Sequence, residues 1–305
     1  MGAAPGLQQA LSGERSTSSA VQLCLRGFGG MARCCGVVLT GPDACTGIAR
    51  LTLTNARRTN PLSLGLMRHA TRLVRDQIAP ATSEARVLVL EAEPGRWFSS
   101  GHHLQDVFKR HGKTGVEARS ELELRELFGA CTELMLTLRD LRQPTVAVVN
   151  GHAASAGLQL AASCDIVLAS ATAQFSAPGS RRGRFCHTPG VALAERVGAS
   201  RALEMLLLGS TWSAEQALAY GLVTQVFPPE ELSDGAQSVV ESLSVGVSAK
   251  GLEDGKRALR EHNGLTGLGD KYRLAETYMA ATMSTVDAVE GTKAMLQQRQ
   301  PCFIS

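Results

Sequence analysis

The 305-residue sequence predicts an α/β fold. Two observations carry that prediction. Over the first two thirds, short apolar runs of strand character alternate with longer stretches whose apolar residues recur at three-four spacing. That strand–helix–strand rhythm belongs to a sheet with helices laid on it. The last third reads differently, as helices joined by short links.

The elements follow in order. From Met1 to Gly36 the chain is rich in Ala, Ser and Gly, with Arg15, Arg26 and Arg33 and one acid, Glu14. An Arg-rich, acid-poor leader fits a mitochondrial transit peptide; a disordered leader with no address, with Met31 as an alternative start, fits the same composition. No long apolar stretch follows the first positive charge, so a secretory signal fits less well. Residues 1–34 are therefore set apart as a leader, and ordered structure is expected from about Cys35. CGVVLT reads as a strand, GPDACTG as a turn and IARLTLT as an alternating strand, together a hairpin. Asn55 to Pro61 is a polar loop carrying Arg57 and Arg58. A helix is expected from Ser63 to about Gln77, with Leu66, Ala70 and Leu73 on one face. ARVLVLEAE is a buried strand and WFSSGHHL the loop after it. Leu127, Cys131, Leu134, Leu138 and Leu141 set the stripe of a long helix from about Val116 to Leu141, which Pro144 ends.

TVAVVNG, DIVLASA and AQFSAP are further strands. In SAEQALAYG, Ser213 and Gln216 form a capping-box pattern, and Gly221 is placed to close that helix in the left-handed conformation. LVTQVF reads as a strand. After Pro228-Pro229, helices are expected over Pro229–Ser244, Ser248–His262, Lys271–Met283 and Val286–Arg299. Residues 35–228 thus read as the α/β core and 229–305 as a helical region.

Composition narrows the function classes. A net charge of +3 is weak for this length and gives no support to nucleic-acid or membrane-surface binding. No run approaches the roughly 18 apolar residues of a spanning helix. The eight cysteines form no C-x-x-C pair, so most of them read as small buried hydrophobes in a reducing compartment.

The stretch GHAASAGLQLAASCD, residues 151–165, lies between a strand and an apolar helix. Ser155, Ala156 and Gly157 fall where the helix begins, and a helix start leaves backbone N–H groups without partners. Small residues there let a ligand oxygen approach that backbone, or let the helix pack tightly on the strand. WFSSGHHL is a second small-residue loop that follows a strand. Two such loops, each giving one N–H to the same oxygen, make an oxyanion hole of the kind that stabilises an enolate formed from a thioester.

These segments resemble the crotonase superfamily, the enoyl-CoA hydratases and isomerases. NARRTNPLSLGL is similar to the family's first CoA-binding loop and FSSGHHLQD to its FxAGxDL motif. AVVNGHAASAGLQLAASCDIVLAS, FSAPGSRRGRFCHTPGVALAERVG and LGSTWSAEQALAYGLVTQVFP follow in the family's order, so the likeness covers about Cys35 to Ser305. It implies a spiral of ββα repeats with a C-terminal helical region that builds trimers, often paired into hexamers. It also implies an acyl-CoA thioester as ligand, with CoA as part of the substrate and no separate cofactor. The backbone N–H groups of His102 and Ala156 would form the oxyanion hole. Arg57 or Arg58 would face the CoA phosphates, while Ser100, Gly101, His103 and Leu104 would border its adenine and pantetheine.

The family's hydratases use two glutamates to move protons, and here those positions carry Gln159 and Gly179. Neither side chain exchanges protons near neutral pH. His187, in RFCHTPG, is the remaining acid–base candidate, with Cys186 beside it; the same histidine also fits a packing role in the turn before Pro189. Asp106 and Glu195 are more distant acids. The pairs His102–His103 and Cys186–His187 do not make a metal site, because neighbours rarely both ligate one tetrahedral ion. Arg181, Arg182 and Arg184 are expected to point outward, since long charged side chains stay wet; pointing inward, they would bind a carboxylate on the acyl group.

The expectation is a protein of fatty acid metabolism that binds an acyl-CoA and keeps the oxyanion hole but not ordinary hydration. Any reaction would be isomerisation, thioester hydrolysis or decarboxylation. The alternative is a non-catalytic acyl-CoA sensor or structural partner in lipid metabolism. RNA binding, which has precedent in the family, finds little support in the charge. The paired change Gln159→Glu, Gly179→Glu is expected to restore some hydration, provided the residues around Arg181 leave room.

Overall fold

The expected hairpin forms first: β1 (Val37–Thr40) runs antiparallel to β2 (Ile48–Leu53), with Val37 opposite Leu53. The computed structural model describes residues 36–112 and 114–304, so the reading of residues 1–34 as a leader lies outside the described residues. The chain divides between Cys35 and Gly36, and the part from Gly36 onward is one unit.

A 3-10 turn at Ala56–Arg58 leads to α1 (Leu64–Leu73), whose first turn is capped by Ser63 Oγ accepting from Leu66 N–H. Leu66, Met67 and Ala70 bury its inner face. Next come β3 (Val87–Ala92), β4 (Trp97–Ser99) and the short α2 (Leu104–Val107). The long helix starts later than its sequence stripe suggests. Residues from Val116 pair instead in a small hairpin of β5 (Phe108–His111) and β6 (Gly115–Ala118). The helix, α3 (Glu121–Asp140), begins where Ser120 and Glu123 close a capping box that satisfies two otherwise unpaired donors.

Then follow β7 (Thr145–Val149), β8 (His152–Ala154), α4 (Ala156–Ala162), β9 (Ile166–Ser170) and β10 (Gln174–Ser176). α5 (His187–Leu208) carries a bend at Gly198, whose φ is 76°. β11 (Thr211–Ser213) precedes α6 (Ala214–Ala219), where the Ser213–Gln216 capping box is present. Gly221, at φ 84°, follows that helix, in the positive-φ conformation expected of it. β12 (Gln225–Phe227) ends the strands. The helical region is α7 (Leu232–Ser242), α8 (Ala249–Asn263), α9 (Leu268–Met283) and α10 (Val286–Leu296), each within a few residues of expectation.

Among the described residues, β1-β2-β3-β7-β9-β12 form a six-stranded sheet and β11-β10-β8-β4 a four-stranded one. From β2 to β12 the larger sheet is parallel. The pairs β3/β4, β7/β8 and β9/β10 each send the first strand to the larger sheet and the second to the smaller, and a helix follows each pair. This is the ββα spiral, and every repeat delivers a loop to the same edge of the smaller sheet.

The two faces of the larger sheet follow the period-2 rule. Leu88 and Leu90 of β3 join the main core between the sheets and helices α1, α3 and α5. Val87 and Val89 point the other way, onto Ala236 and Val240 of α7. Farther along, α8 is tied to the core by Lys256, whose Nζ lies 2.5 Å from Asp165 Oδ2 and donates to the Gln143 carbonyl at 2.7 Å. Among the described residues no helix is long and apolar enough to cross a membrane.

Candidate functional site

Two loops meet at the edge of the smaller sheet. The first is held by buried polar groups. Asn60, fully buried, accepts from Asn55 N–H at 2.8 Å and donates to the Trp97 carbonyl at 3.1 Å. Ser99 Oγ donates to the Asn60 carbonyl at 2.7 Å and accepts from Gly101 N–H at 3.2 Å. Thr59 Oγ1 reaches Ser100 Oγ at 2.8 Å. The loop after β2 is thereby clipped to the loop after β4. A parallel bridge completes the junction: Leu62 N–H donates to Gly101 O at 2.8 Å and His103 N–H to Leu62 O at 3.1 Å. This pattern uses the groups on either side of His102 and leaves the His102 N–H outside the bridge.

The second loop turns from β8 into α4 at Ser155, whose N–H donates to the Ser176 carbonyl at 2.8 Å. Ser155 has φ 51° and ψ −116°, a conformation that a residue with a Cβ rarely adopts and that costs of order 1–3 kcal/mol. The turn brings the start of α4 against the first loop. A Cβ on Gly101 would stand 2.9 Å from Ala154 O and 3.1 Å from Ala156 N. One on Gly157 would stand 2.3 Å from Ser99 O. The small residues therefore let the two backbones touch, and the N–H of Ala156, first residue of its helix, has no intrahelical acceptor.

Beside this junction lies a cavity of about 260 Å³. Ser100, His102, Ser155, Ala156, Gly179, Cys186 and His187 are among its lining residues. Leu104, Val107, Phe128 and Phe185 make it largely apolar, and Arg182 and Arg184 stand at its border. Of the residues expected at a site, Ser100, His102, Leu104, Ala156, Gly179 and His187 share this cavity. Gly101 and His103 lie outside the lining. Gly101 sits at the loop contact with φ 88°, and His103 Nδ1 is 3.9 Å from Asp106 Oδ1. Arg57 and Arg58 are exposed on the 3-10 turn, off the cavity.

The two former acid positions are closed for different reasons. Gln159 is only 5% exposed, and its Oε1 accepts from Cys131 Sγ on α3 at 3.8 Å, so its polar end is engaged with the neighbouring helix. At Gly179 the chain curls back on itself: the N–H groups of Arg182 and Arg184 both donate to the Gly179 carbonyl at 2.9 Å. That curl sets Cys186 Sγ 2.8 Å, Cys186 N 3.1 Å and Arg184 O 3.2 Å from where a Cβ would be. All three arginines are exposed, as expected, and Arg181 donates to the Leu208 carbonyl at 2.7 Å. Arg184 lies over the Phe108 ring at 5.5 Å, and with Arg182 it borders the cavity.

His187 Nδ1 is 3.0 Å from the Phe185 carbonyl, with the two rings edge to face. A carbonyl only accepts, so Nδ1 carries the proton and Nε2 is the basic nitrogen. His102 packs edge-on against Phe128 at 5.2 Å. Burial pushes its imidazole down from 6.5 to about 4, only partly opposed by the Leu62 backbone and the Asp106 carboxylate. It is neutral at pH 7. Between these two values the unfolded chain takes up a proton that the folded chain refuses. The stability from neutral His102 is therefore present above about 6.5 and lost as pH falls toward 4, a loss of up to about 3 kcal/mol. Urea unfolding at pH 7 and pH 4.5 is expected to show a smaller acid loss in His102→Gln than in the parent protein; equal losses would assign the effect elsewhere.

Phe128, Val107 and Asn60 escaped sequence reading. Phe128 sits one residue off the apolar stripe of α3. Asn60 carries a positive φ and two backbone partners that no local pattern announces.

The chain matches the family model described as enoyl-CoA hydratase/isomerase over residues 43–305. It is 38% identical over 269 residues to enoyl-CoA hydratase domain-containing protein 3, mitochondrial, of Rattus norvegicus, covering 87% of this chain and 84% of that one. Among solved structures, it resembles human enoyl coenzyme A hydratase domain-containing protein 3 with a TM-score of 0.78 at 33% identity, covering 88% of this chain and 100% of that one. It resembles an enoyl-CoA hydratase of Mycobacterium smegmatis with a TM-score of 0.79 at 32% identity, covering 88% and 98%.

Proposed function

The chain belongs to the enoyl-CoA hydratase/isomerase family, and on that premise we propose that its cavity receives the thioester end of an acyl-CoA. The observation that supports this reading is the backbone contact between the two loops, with Ala156 and His102 both in the lining of one cavity. Donors fixed in this way stabilise negative charge on a thioester oxygen without reorganising when the charge develops. Leu104, Val107, Phe128 and Phe185 suit an acyl chain. Arg182 and Arg184 at the border, and Arg57 and Arg58 on the exposed turn, supply positive charge for the anionic CoA.

Enolate chemistry is supported by the paired N–H groups, whereas dual-carboxylate hydration is not. Isomerisation, thioester hydrolysis or decarboxylation are the reactions this wall can support, with His187 as the acid–base group; a non-catalytic acyl-CoA sensor needs only the binding half. The rat relative is named mitochondrial, which supports a mitochondrial matrix setting in fatty acid metabolism, with residues 1–34 as the address. Family membership supports assembly as a trimer or a pair of trimers through the helical region.

Isothermal titration calorimetry tests the core of the proposal. Butyryl-CoA is expected to bind at least about tenfold more tightly than CoA alone, a difference of about 1.4 kcal/mol. Equal affinities would remove the acyl group from this cavity, and no binding of either would remove the acyl-CoA reading altogether.

A further inference from the structure

We propose that Cys186 is an acyl acceptor, so that the protein cleaves acyl-CoA thioesters through a Cys186-bound acyl intermediate. The inference rests on the acyl-CoA reading of the cavity and names the group that attacks. The sulfur stands where the family's second acid would begin, since Cys186 Sγ lies 2.8 Å from the Cβ position at residue 179. On its other side it is 3.8 Å from Ser155 Oγ, on the residue that precedes the Ala156 N–H. Cys186, Ala156 and His102 line the same cavity, so a thioester whose oxygen meets those N–H groups shares it with this sulfur. The lining of this cavity suits nucleophilic catalysis: a thiol, the Ala156 and His102 residues, and His187, whose Nδ1 is held by the Phe185 carbonyl so that Nε2 is left to accept a proton.

The other described cysteines do not compete. Cys131 and Cys164 are buried, and burial pushes both thiols up to about 12, where they stay protonated. Cys45 and Cys302 are exposed and lie away from the cavity. Cys186 is half-buried and part of the lining.

The step balances without an added oxidant or reductant. The Cys186 thiol passes its proton to His187 Nε2, and Sγ attacks the thioester carbonyl carbon. The carbonyl oxygen takes the negative charge and faces the Ala156 and His102 N–H groups. When the carbonyl re-forms, its bond to the CoA sulfur breaks, and that sulfur takes the proton from His187. One thioester has been exchanged for another and CoA is free. Water, deprotonated by His187, then attacks the acyl carbon, releasing a carboxylic acid and returning the proton to Cys186.

The experiment mixes full-length protein with butyryl-CoA and quenches it in acid at successive times. Intact mass and peptide fragmentation are expected to find one butyryl group in place of one hydrogen on Cys186, and a thiol reagent to find CoA released. Both signals should vanish in Cys186→Ala, while its urea-unfolding midpoint shows that the variant is folded. Both should persist in Cys45→Ser and Cys302→Ser. CoA release that persists undiminished in Cys186→Ala, or an adduct on another cysteine, overturns the proposal. Binding without adduct and without CoA release overturns it while leaving the acyl-CoA reading intact. Absence of binding overturns both.

Discussion

Crotonyl-CoA given to the purified protein is expected to be hydrated about 10⁴-fold more slowly, or less, than by a family member carrying both glutamates. Each general acid or base contributes typically 10²–10⁴-fold, and both are missing at Gln159 and Gly179. Loss of the conjugated thioester absorbance measures it directly. The structure also sharpens the rescue expected from the paired Gln159→Glu, Gly179→Glu change: it should fail. A glutamate at 179 meets Cys186 Sγ at 2.8 Å and backbone atoms at 3.1 and 3.2 Å, so the 182–186 curl must move before the side chain can enter. A glutamate at 159 replaces a neutral amide at a 5% exposed site beside Cys131, where burying a carboxylate without a cationic partner is unfavourable. Hydration at ordinary rates by the parent would overturn the reading of Gln159 and Gly179, and by the double variant it would show that the curl opens in solution.

Gly157→Ala is expected to destabilise the protein by about 3 kcal/mol and to abolish acyl-CoA binding. The new Cβ would lie 2.3 Å from Ser99 O and 2.9 Å from Ser99 C, inside a backbone held on both sides. Ser99 is fully buried and tied to Asn60 and Gly101, so it has nowhere to retreat. Overpacking of this kind typically costs 1–3 kcal/mol, and here the strain falls on the loop that carries His102. Gly129→Ala is the matched control. Gly129 lies inside α3 with nothing within 4 Å of the added Cβ, and the change there should stabilise by about 0.5–1 kcal/mol. Denaturant midpoints compare the two, and a Gly157→Ala protein as stable as the control would show that the loops are not in contact.

Much of the core was legible. The hairpin, the β3, β7 and β9 strands and the Ser213 cap are local: their periods and capping residues are adjacent in sequence. The failures have physical reasons as well. The helix start at Val116 was overridden because residues 115–118 pair with 108–111. At the site, two small-residue loops announced a junction, but not which side chains would face it.

The sequence alone determined the family and the absence of both carboxylates, because these depend on residue type and spacing along the chain; the second strand of each ββα repeat, such as Trp97–Ser99 and His152–Ala154, was not legible there. Only the tertiary structure decided that Gln159 turns to Cys131, that Arg182 and Arg184 border the cavity while Arg181 does not, and that Cys186 fills the place beside Gly179. The direction in which a side chain points at a curl is set by hydrogen bonds such as those that return from Arg182 and Arg184 to Gly179, and by neighbours distant in sequence. No local pattern encodes them.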